Sequence, residues 1–250
     1  MLDVEVHVRT CAVTNEHALI CWGGALCRAP GETHSRWVDA HPVAGIDDAV
    51  AVAVGIRLVC ILSNTGEVRC WGYRDDDGIC RVRQPEVVPG LERVVQIAAG
   101  ADGACALTEA GEVKCWGQSD TGLLGVPMTE PKLVREPVTV QGVSPAVELS
   151  GHYIQMCALR ADGEVWCWGA GMTRGEPHPP AQPIPDLHDA IDIVSGNKFA
   201  CALRADRSVR CFGPRMDRDR KGGEPFAFES KEAWIDPPVL TFEAPRPGSP

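Results

Sequence analysis

Twelve cysteines in 250 residues are the side chains of this chain best equipped for chemistry. Thiols at fixed spacing can form disulfides, hold zinc, or stay reduced as small apolar packing groups. Ten of the twelve fall into five pairs: Cys11 and Cys21, Cys60 and Cys70, Cys105 and Cys115, Cys157 and Cys167, and Cys201 and Cys211. In every pair the two members are ten positions apart. Zinc sites favour cysteines two to four residues apart, and no C-x-x-C occurs, so metal is the weakest of the three readings. Reduced, buried thiols are the bland reading. Two strands joined by a short turn bring such a pair directly opposite, with Cβ atoms about 4.5–5.5 Å apart, near the separation a disulfide requires. The spacing therefore predicts a disulfide in each pair, and with it an oxidising compartment. Cys27 and Cys80 stand outside the pattern. A bridge between them and two free thiols both remain open.

Little else suggests catalysis. The seven histidines are scattered, and none belongs to an H-E-x-x-H motif. There is no G-x-S-x-G and no phosphate loop. The acidic run Arg74-Asp75-Asp76-Asp77-Gly78 has neither the twelve-residue calcium loop nor its distal Glu, and reads as a solvated turn. Asp162-Gly163-Glu164-Val165-Trp166 is similar to the Asp-box turn of sialidases, which is structural there. Only two tyrosines exist, Tyr73 and Tyr153, and neither sits in an active-site motif. No catalytic residue, metal or cofactor is expected. The net charge of −10 argues against a nucleic-acid partner, which needs clustered Lys and Arg. No apolar run approaches the roughly 20 residues of a membrane-spanning helix. Met1-Leu2-Asp3-Val4-Glu5 is too acidic for the start of a signal peptide, so no export signal is visible.

The elements that carry the cysteines recur. The first members of the pairs lie 49, 45, 52 and 44 residues apart, a period that suits one four-stranded propeller blade. Cys105-Ala-Leu-Thr-Glu-Ala-Gly-Glu-Val-Lys-Cys115-Trp-Gly is nearly repeated at Cys60, Cys157 and Cys201. The copy at Cys11 is looser and lacks the central Gly. Each copy reads as a β-hairpin, with Cys105, Leu107, Val113 and Cys115 on one face and Ala106, Lys114 and Trp116 on the other. Strand-like stretches precede the hairpins at Ala49–Val54, Val94–Ala99, Ala146–Leu149 and Ala190–Val194, and the chain opens on another at Val4–Val8. Pro- and Gly-rich segments separate the repeats. Nothing shows a sustained helical period, so the chain is expected to be all-β. The once-per-repeat aromatics Trp22, Trp71, Trp116, Trp168 and Phe212 read as packing between sheets.

The succession of apolar strand, Gly, Cys-Ala-Leu, Gly-Glu-Val, Cys-Trp-Gly and then Gly122-Leu123-Leu124-Gly125 resembles the repeats of the regulator of chromosome condensation family. It looks most like the bacterial branch, in which paired cysteines flank the hairpin. The resemblance covers roughly residues 4 to 213. It implies a β-propeller, usually of seven blades in the family. Five copies here leave a closed five-bladed ring, an incomplete arc or a gene fragment. Pairing of Val239–Phe242 with the first blade would close the ring and remove exposed sheet edges. On this reading residues 1–243 form one propeller domain and 244–250 a disordered tail.

The expected function is that of a non-enzymatic module that binds a protein partner through its inter-strand loops. Relatives include exchange factors for small GTPases and an inhibitor of β-lactamases, so the fold does not name the partner. The contact loops are expected at Gly24–Val38, Tyr73–Cys80, Gln118–Met128, Gly171–His178 and Pro214–Glu224. Within them Trp37, Tyr73, Arg74, Asp76, Met172, Arg174, Arg215 and Arg218 are the candidate partner-binding residues. A secreted, periplasmic or cell-surface home follows if the disulfides form. The alternatives are a hydrolase or lyase with a site in the central tunnel, and a fragment of a larger secreted or surface protein.

Overall fold

Each cysteine hairpin forms the middle of a four-stranded antiparallel meander, and the computed structural model contains five of these. It describes residues 3–6, 9–24, 37–72, 84–127, 133–170, 180–213 and 226–230. The first sheet comprises β1 (Asp3–Val6), β2 (Arg9–Val13), β3 (Leu19–Gly24) and β4 (Trp37–Pro42). The second comprises β5 (Ala49–Val54), β6 (Val59–Ser63), β7 (Val68–Trp71) and β8 (Glu86–Val87). The third holds β9 (Val94–Ala99), β10 (Gly103–Thr108), β11 (Val113–Gln118) and β12 (Leu133–Thr139). The fourth holds β13 (Ala146–His152), β14 (Gln155–Arg160), β15 (Val165–Trp168) and β16 (Gln182–Pro183). The fifth holds β17 (Ala190–Gly196), β18 (Phe199–Arg204), β19 (Val209–Gly213) and β20 (Phe226–Ser230). No helix occurs among the described residues, and so none long and apolar enough to cross a membrane.

The hairpin register is the one that the ten-residue spacing predicts. Cys105 lies opposite Cys115 and Leu107 opposite Val113, and the other four copies repeat this pairing. Cys11 is bridged to Cys21, Cys60 to Cys70 and Cys105 to Cys115. Cys157 is bridged to Cys167 and Cys201 to Cys211. The Cα atoms of the five pairs are 3.9–4.1 Å apart. Cys167 shows how the bridge sits in the sheet. On β15 it faces Cys157 of β14 on one side and Gln182 of β16 on the other, and only 3% of it is exposed.

The seventh residue of each copy has positive φ: Gly66, Gly111 and Gly163 in the middle repeats, His17 and Arg207 at the ends. The first turn therefore keeps its shape without the glycine, held by Thr14, whose Oγ1 accepts from the Glu16 and Ala18 amides. A non-glycine residue in the left-handed region costs about 1 kcal/mol. Arg207 is exposed, so Arg207→Gly should raise stability by about 0.5 kcal/mol, net of the entropy glycine adds to the unfolded chain. A chemical denaturation midpoint measures it.

The fourth strands were not separable from loops in the sequence. They are short or partly proline-bearing edge strands: Pro42, Pro137 and Pro183 all sit in them, where a missing amide costs no ladder bond. At the start of the chain the strand includes Asp3 to Val6, and His7 and Val8 of the expected stretch lie outside the described residues. The fifth sheet takes Phe226–Ser230 as its outer strand. The ring-closing segment Val239–Phe242, the tail from 244, and Cys27 and Cys80 lie outside the described residues.

The core lies between sheets. The disulfide face of each of the first four sheets packs against the opposite face of the next: Cys11, Val13, Leu19 and Cys21 meet Val59, Ile61 and Trp71. At the fourth junction Cys157, Leu159, Val165 and Cys167 meet Ala200, Ala202 and Phe212 in the same way. Four apolar residues at intervals of three complete each interface. They are Val43, Ile46, Ala49 and Val52 over the first sheet, and Val88, Leu91, Val94 and Ile97 over the second. Val140, Val143, Ala146 and Leu149 cover the third, and Ile184, Leu187, Ala190 and Ile193 the fourth. The period of three arises because this run leaves an outer strand, turns, and enters an inner strand. Its third residue, Gly45, Gly90, Gly142 or Asp186, has φ between 57° and 84°, as the second central residue of a type II turn requires. This is the stacking of propeller blades.

Candidate functional site

In a four-stranded meander the connections from first to second strand and from third to fourth strand emerge at the same end. That end is where Cys-Trp-Gly stops and the variable loops begin. The glycine after the aromatic is forced by a close approach. A Cβ on Gly117 would lie 2.5 Å from the Asp102 carbonyl oxygen, and one on Gly169 would crowd that of Ile154 still more. The variable loops of the third, fourth and fifth sheets, where Gly213 meets the Lys198 carbonyl in the same way, thus start pinned against the tight turn between the first two strands of their own sheet.

The cysteines predicted as disulfide residues lie beneath these loops and hold them up. In the fourth sheet Cys167 immediately precedes Trp168 and Gly169, so its bridge to Cys157 anchors the strand from which the loop at Ala170 departs. None of the ten bridged cysteines is exposed, and their role is structural.

Those tight turns carry polar groups. Arg57, between β5 and β6, reaches across to the next sheet and pairs with both carboxylate oxygens of Asp102, between β9 and β10. The Arg57 amide also donates to Ala101 O at 3.0 Å. Asp102 is only 4% exposed, so the guanidinium is its compensation for burial. Hydrogen bonding to Asp102 raises the Arg57 pKa above its ordinary value against the opposing effect of burial, with Asp120 and Tyr153 adding charge attraction. Tyr153 and Lys198 sit at the turns of the fourth and fifth sheets with φ of 51° and 65°. His152 beside Tyr153 is half-buried, and its burial lowers its pKa, favouring the neutral ring. The sequence singled out none of Arg57, Asp102 or His152, because an isolated charge in a short turn has no spacing to read.

Of the eight candidate partner-binding residues, one lies among the described residues. Trp37 begins β4. Tyr73, Arg74, Asp76, Met172, Arg174, Arg215 and Arg218 lie outside the described residues. One expected contact loop behaves differently. In Gln118–Met128, Leu123 and Leu124 are buried between the third and fourth sheets, and the Trp168 indole N–H donates to Leu123 O at 2.8 Å. Leu123 and Leu124 form a packing wedge, while Asp120 and Pro127 of the same stretch are exposed. Four of the five recurrent aromatics, Trp71, Trp116, Trp168 and Phe212, are buried between sheets, and Trp22 is partly exposed.

An acidic pair lies on the inner strands. Glu148 on β13 and Asp192 on β17 are hydrogen-bonded to each other. Gln96 holds the equivalent place on β9, where its amide accepts from Leu149 N at 2.8 Å and donates to Leu149 O at 3.0 Å. Glu148 accepts from the Ile193 amide in the same manner. The pair is thus an inter-sheet tie in which a carboxyl stands for an amide. Burial, then the charge and hydrogen bond of Asp192, push the Glu148 pKa from 4.5 up to about 7. The folded chain then binds this proton more tightly than the unfolded chain, so stability falls as pH rises from about 4.5 through 7. Glu148→Gln, copying Gln96, should flatten that slope and stabilise the protein at pH 8 by about 1 kcal/mol after solvent screening. Urea midpoints at pH 5 and pH 8 decide it. Among the described residues no three His, Cys, Asp or Glu side chains converge as a metal site.

Residues 94–122, the third repeat up to Gly122, match the family model of the Regulator of chromosome condensation (RCC1) repeat. No curated protein matches the sequence. Among solved structures, the chain is similar to Prp20p from Saccharomyces cerevisiae, with 17% identity and a TM-score of 0.65 over 82% of this chain and 56% of that one. That protein is described with its binding properties to Gsp1p and histones, and a complex of Kap60 with it, as yeast RCC1, is also similar. Human WBSCR16 aligns at 14% identity with a TM-score of 0.67, over 89% of this chain and 65% of its own. The fold is therefore an RCC1-like β-propeller, and the chain spans a little over half to two thirds of these relatives.

Proposed function

We propose that this chain is a non-enzymatic binding module that takes a protein partner on the end of the propeller where the variable loops emerge. One observation carries the reading: five disulfide-bonded hairpins of one register hold up connections that differ in length and composition. A rigid scaffold with divergent loops at one end suits recognition. Prp20p, which shares the fold, has its binding to Gsp1p and histones described, and this supports the class of partner without naming it. The contacts fall to Trp37, Tyr73, Arg74, Asp76, Met172, Arg174, Arg215 and Arg218. Five disulfides fit an oxidising environment, so we place the protein in a secreted, periplasmic or cell-surface setting.

The test captures partners from the extracytoplasmic proteome with the full chain and with an Arg215→Glu/Arg218→Glu/Tyr73→Ala variant of unchanged thermal midpoint. Proteins held by the wild type and lost at least about tenfold by the variant support the reading, a loss typical of hot-spot truncation. Equal recovery by both overturns the loop assignment. Turnover of a substrate by the intact chain overturns the module itself.

A further inference from the structure

The same interface is built four times in this chain, and each time it joins the same two surfaces. On the first and the fifth sheet, one such surface faces no other described sheet. On the fifth sheet the disulfide face is open: Val194 is 60%, Phe199 47% and Val209 38% exposed, with Leu203, Cys201 and Cys211 partly exposed between them. Their counterparts in the third sheet, Ala98, Gly103, Val113, Leu107, Cys105 and Cys115, are all buried. On the first sheet the opposite face is open. Trp22 and Thr10 are partly exposed, where Trp71 and Val59, or Trp116 and Ala104, are buried. Among the described strands β17 packs against β13 and β14 of the fourth sheet, and β1 and β2 pack against β5 of the second. No packing of similar extent joins the fifth sheet to the first among the described residues.

The sequence after β20 does not repeat the apolar run that covers the other four sheets. The run of four apolar residues at intervals of three begins one residue beyond the partner of Arg69, Lys114 or Trp166 in the outer strand. For Arg210 that partner is Glu229, so the run would read Ser230, Ala233, Asp236 and Val239. A hydroxyl and a carboxylate replace two of the four apolar groups. An apolar sheet face of this kind in water marks an interface. The surface in this chain with matching chemistry is the Thr10–Trp22 face of the first sheet, since that face covers the disulfide face at every internal junction.

We infer that the fifth sheet's disulfide face binds the first sheet's Trp22 face of a second copy, so that the protein associates head to tail. The contact is heterologous: one molecule's end meets the other molecule's beginning. That asymmetry makes a sharp test. The full chain, with disulfides intact, is sedimented from the low to the high micromolar range. The wild type should rise above the 26.9 kDa monomer to a dimer or larger species. Val194→Glu, which blocks only the fifth face, and Thr10→Arg, which blocks only the first, should each sediment as monomers. Mixed together they should form a one-to-one dimer that grows no further, because one intact face of each kind remains. A wild type monomeric throughout, a variant that still assembles alone, or a mixture that stays monomeric overturns the inference. So does a monomeric Val194→Glu protein with a lowered thermal midpoint, since the face would then be covered within its own chain.

Discussion

Reduction of the protein should lower its unfolding midpoint more than any single substitution. Each disulfide closes a loop of eleven residues, worth about 2.8 kcal/mol in the chain-entropy estimate. Five such loops sum to about 14 kcal/mol before native strain and residual structure are discounted, against about 5–15 kcal/mol for the whole stability of a typical domain. A fully reduced chain should therefore be largely unfolded near room temperature. The order of opening is also fixed by the packing. Cys105 and Cys115 are fully buried, as are Cys11, Cys60 and Cys157, and Cys167 is 3% exposed. Cys201 and Cys211, by contrast, are partly exposed on the fifth sheet. Thiol exchange needs access to the sulfur, so limited reductant under native conditions should open Cys201–Cys211 first, and well before Cys157–Cys167. Alkylation and mass mapping read both outcomes. Free Cys105 and Cys115 in protein purified without reductant would refute the bridges, and the oxidising environment with them.

The hairpins were legible because two constraints coincide in them. A strand alternates with period two, and a disulfide demands direct opposition, so Cys–x–Leu and Val–x–Cys admit one register only. The strands before them showed themselves by alternation, and β5 and β9 begin and end where that pattern does. The outer strands hid for a physical reason. Glu86–Val87 and Gln182–Pro183 are exposed, two residues long and on an edge, so nothing in their sequence has to alternate. The apolar run of period three, Val43 to Val52 and its three counterparts, also escaped. It crosses an outer strand end, a turn and an inner strand, and its period matches neither helix nor strand. Of the candidate site, the loops are expected from the repeat boundaries alone. Arg57 and Asp102 could not, since their pairing depends on adjacent sheets facing each other across a distance of 45 residues in sequence.

Replacing Trp168 by alanine should be the most damaging single change outside the cysteines. The side chain is fully buried among Leu123, Leu124 and Val140, and its indole N–H is the partner of the Leu123 carbonyl. Gly125 leaves no slack, because a Cβ there would already stand 3.0 Å from the indole Cδ1. Truncation removes the apolar contact, opens a cavity in a junction too tightly packed to collapse, and strands a buried acceptor. Large-to-small changes of this kind cost about 3–5 kcal/mol. Trp168→Phe keeps most of the apolar surface and loses the hydrogen bond, which should cost about 1–2 kcal/mol. Phe212 shows that the repeat accepts phenylalanine at this position in the fifth sheet. Trp22→Ala, in the first sheet, should cost no more than about half as much as Trp168→Ala, since a partly exposed side chain forfeits less burial. Urea unfolding of the monomeric, oxidised chain compares all three. A Trp22→Ala loss equal to that of Trp168→Ala would mean that the first sheet is covered as fully as the others, and that the stack has no open end.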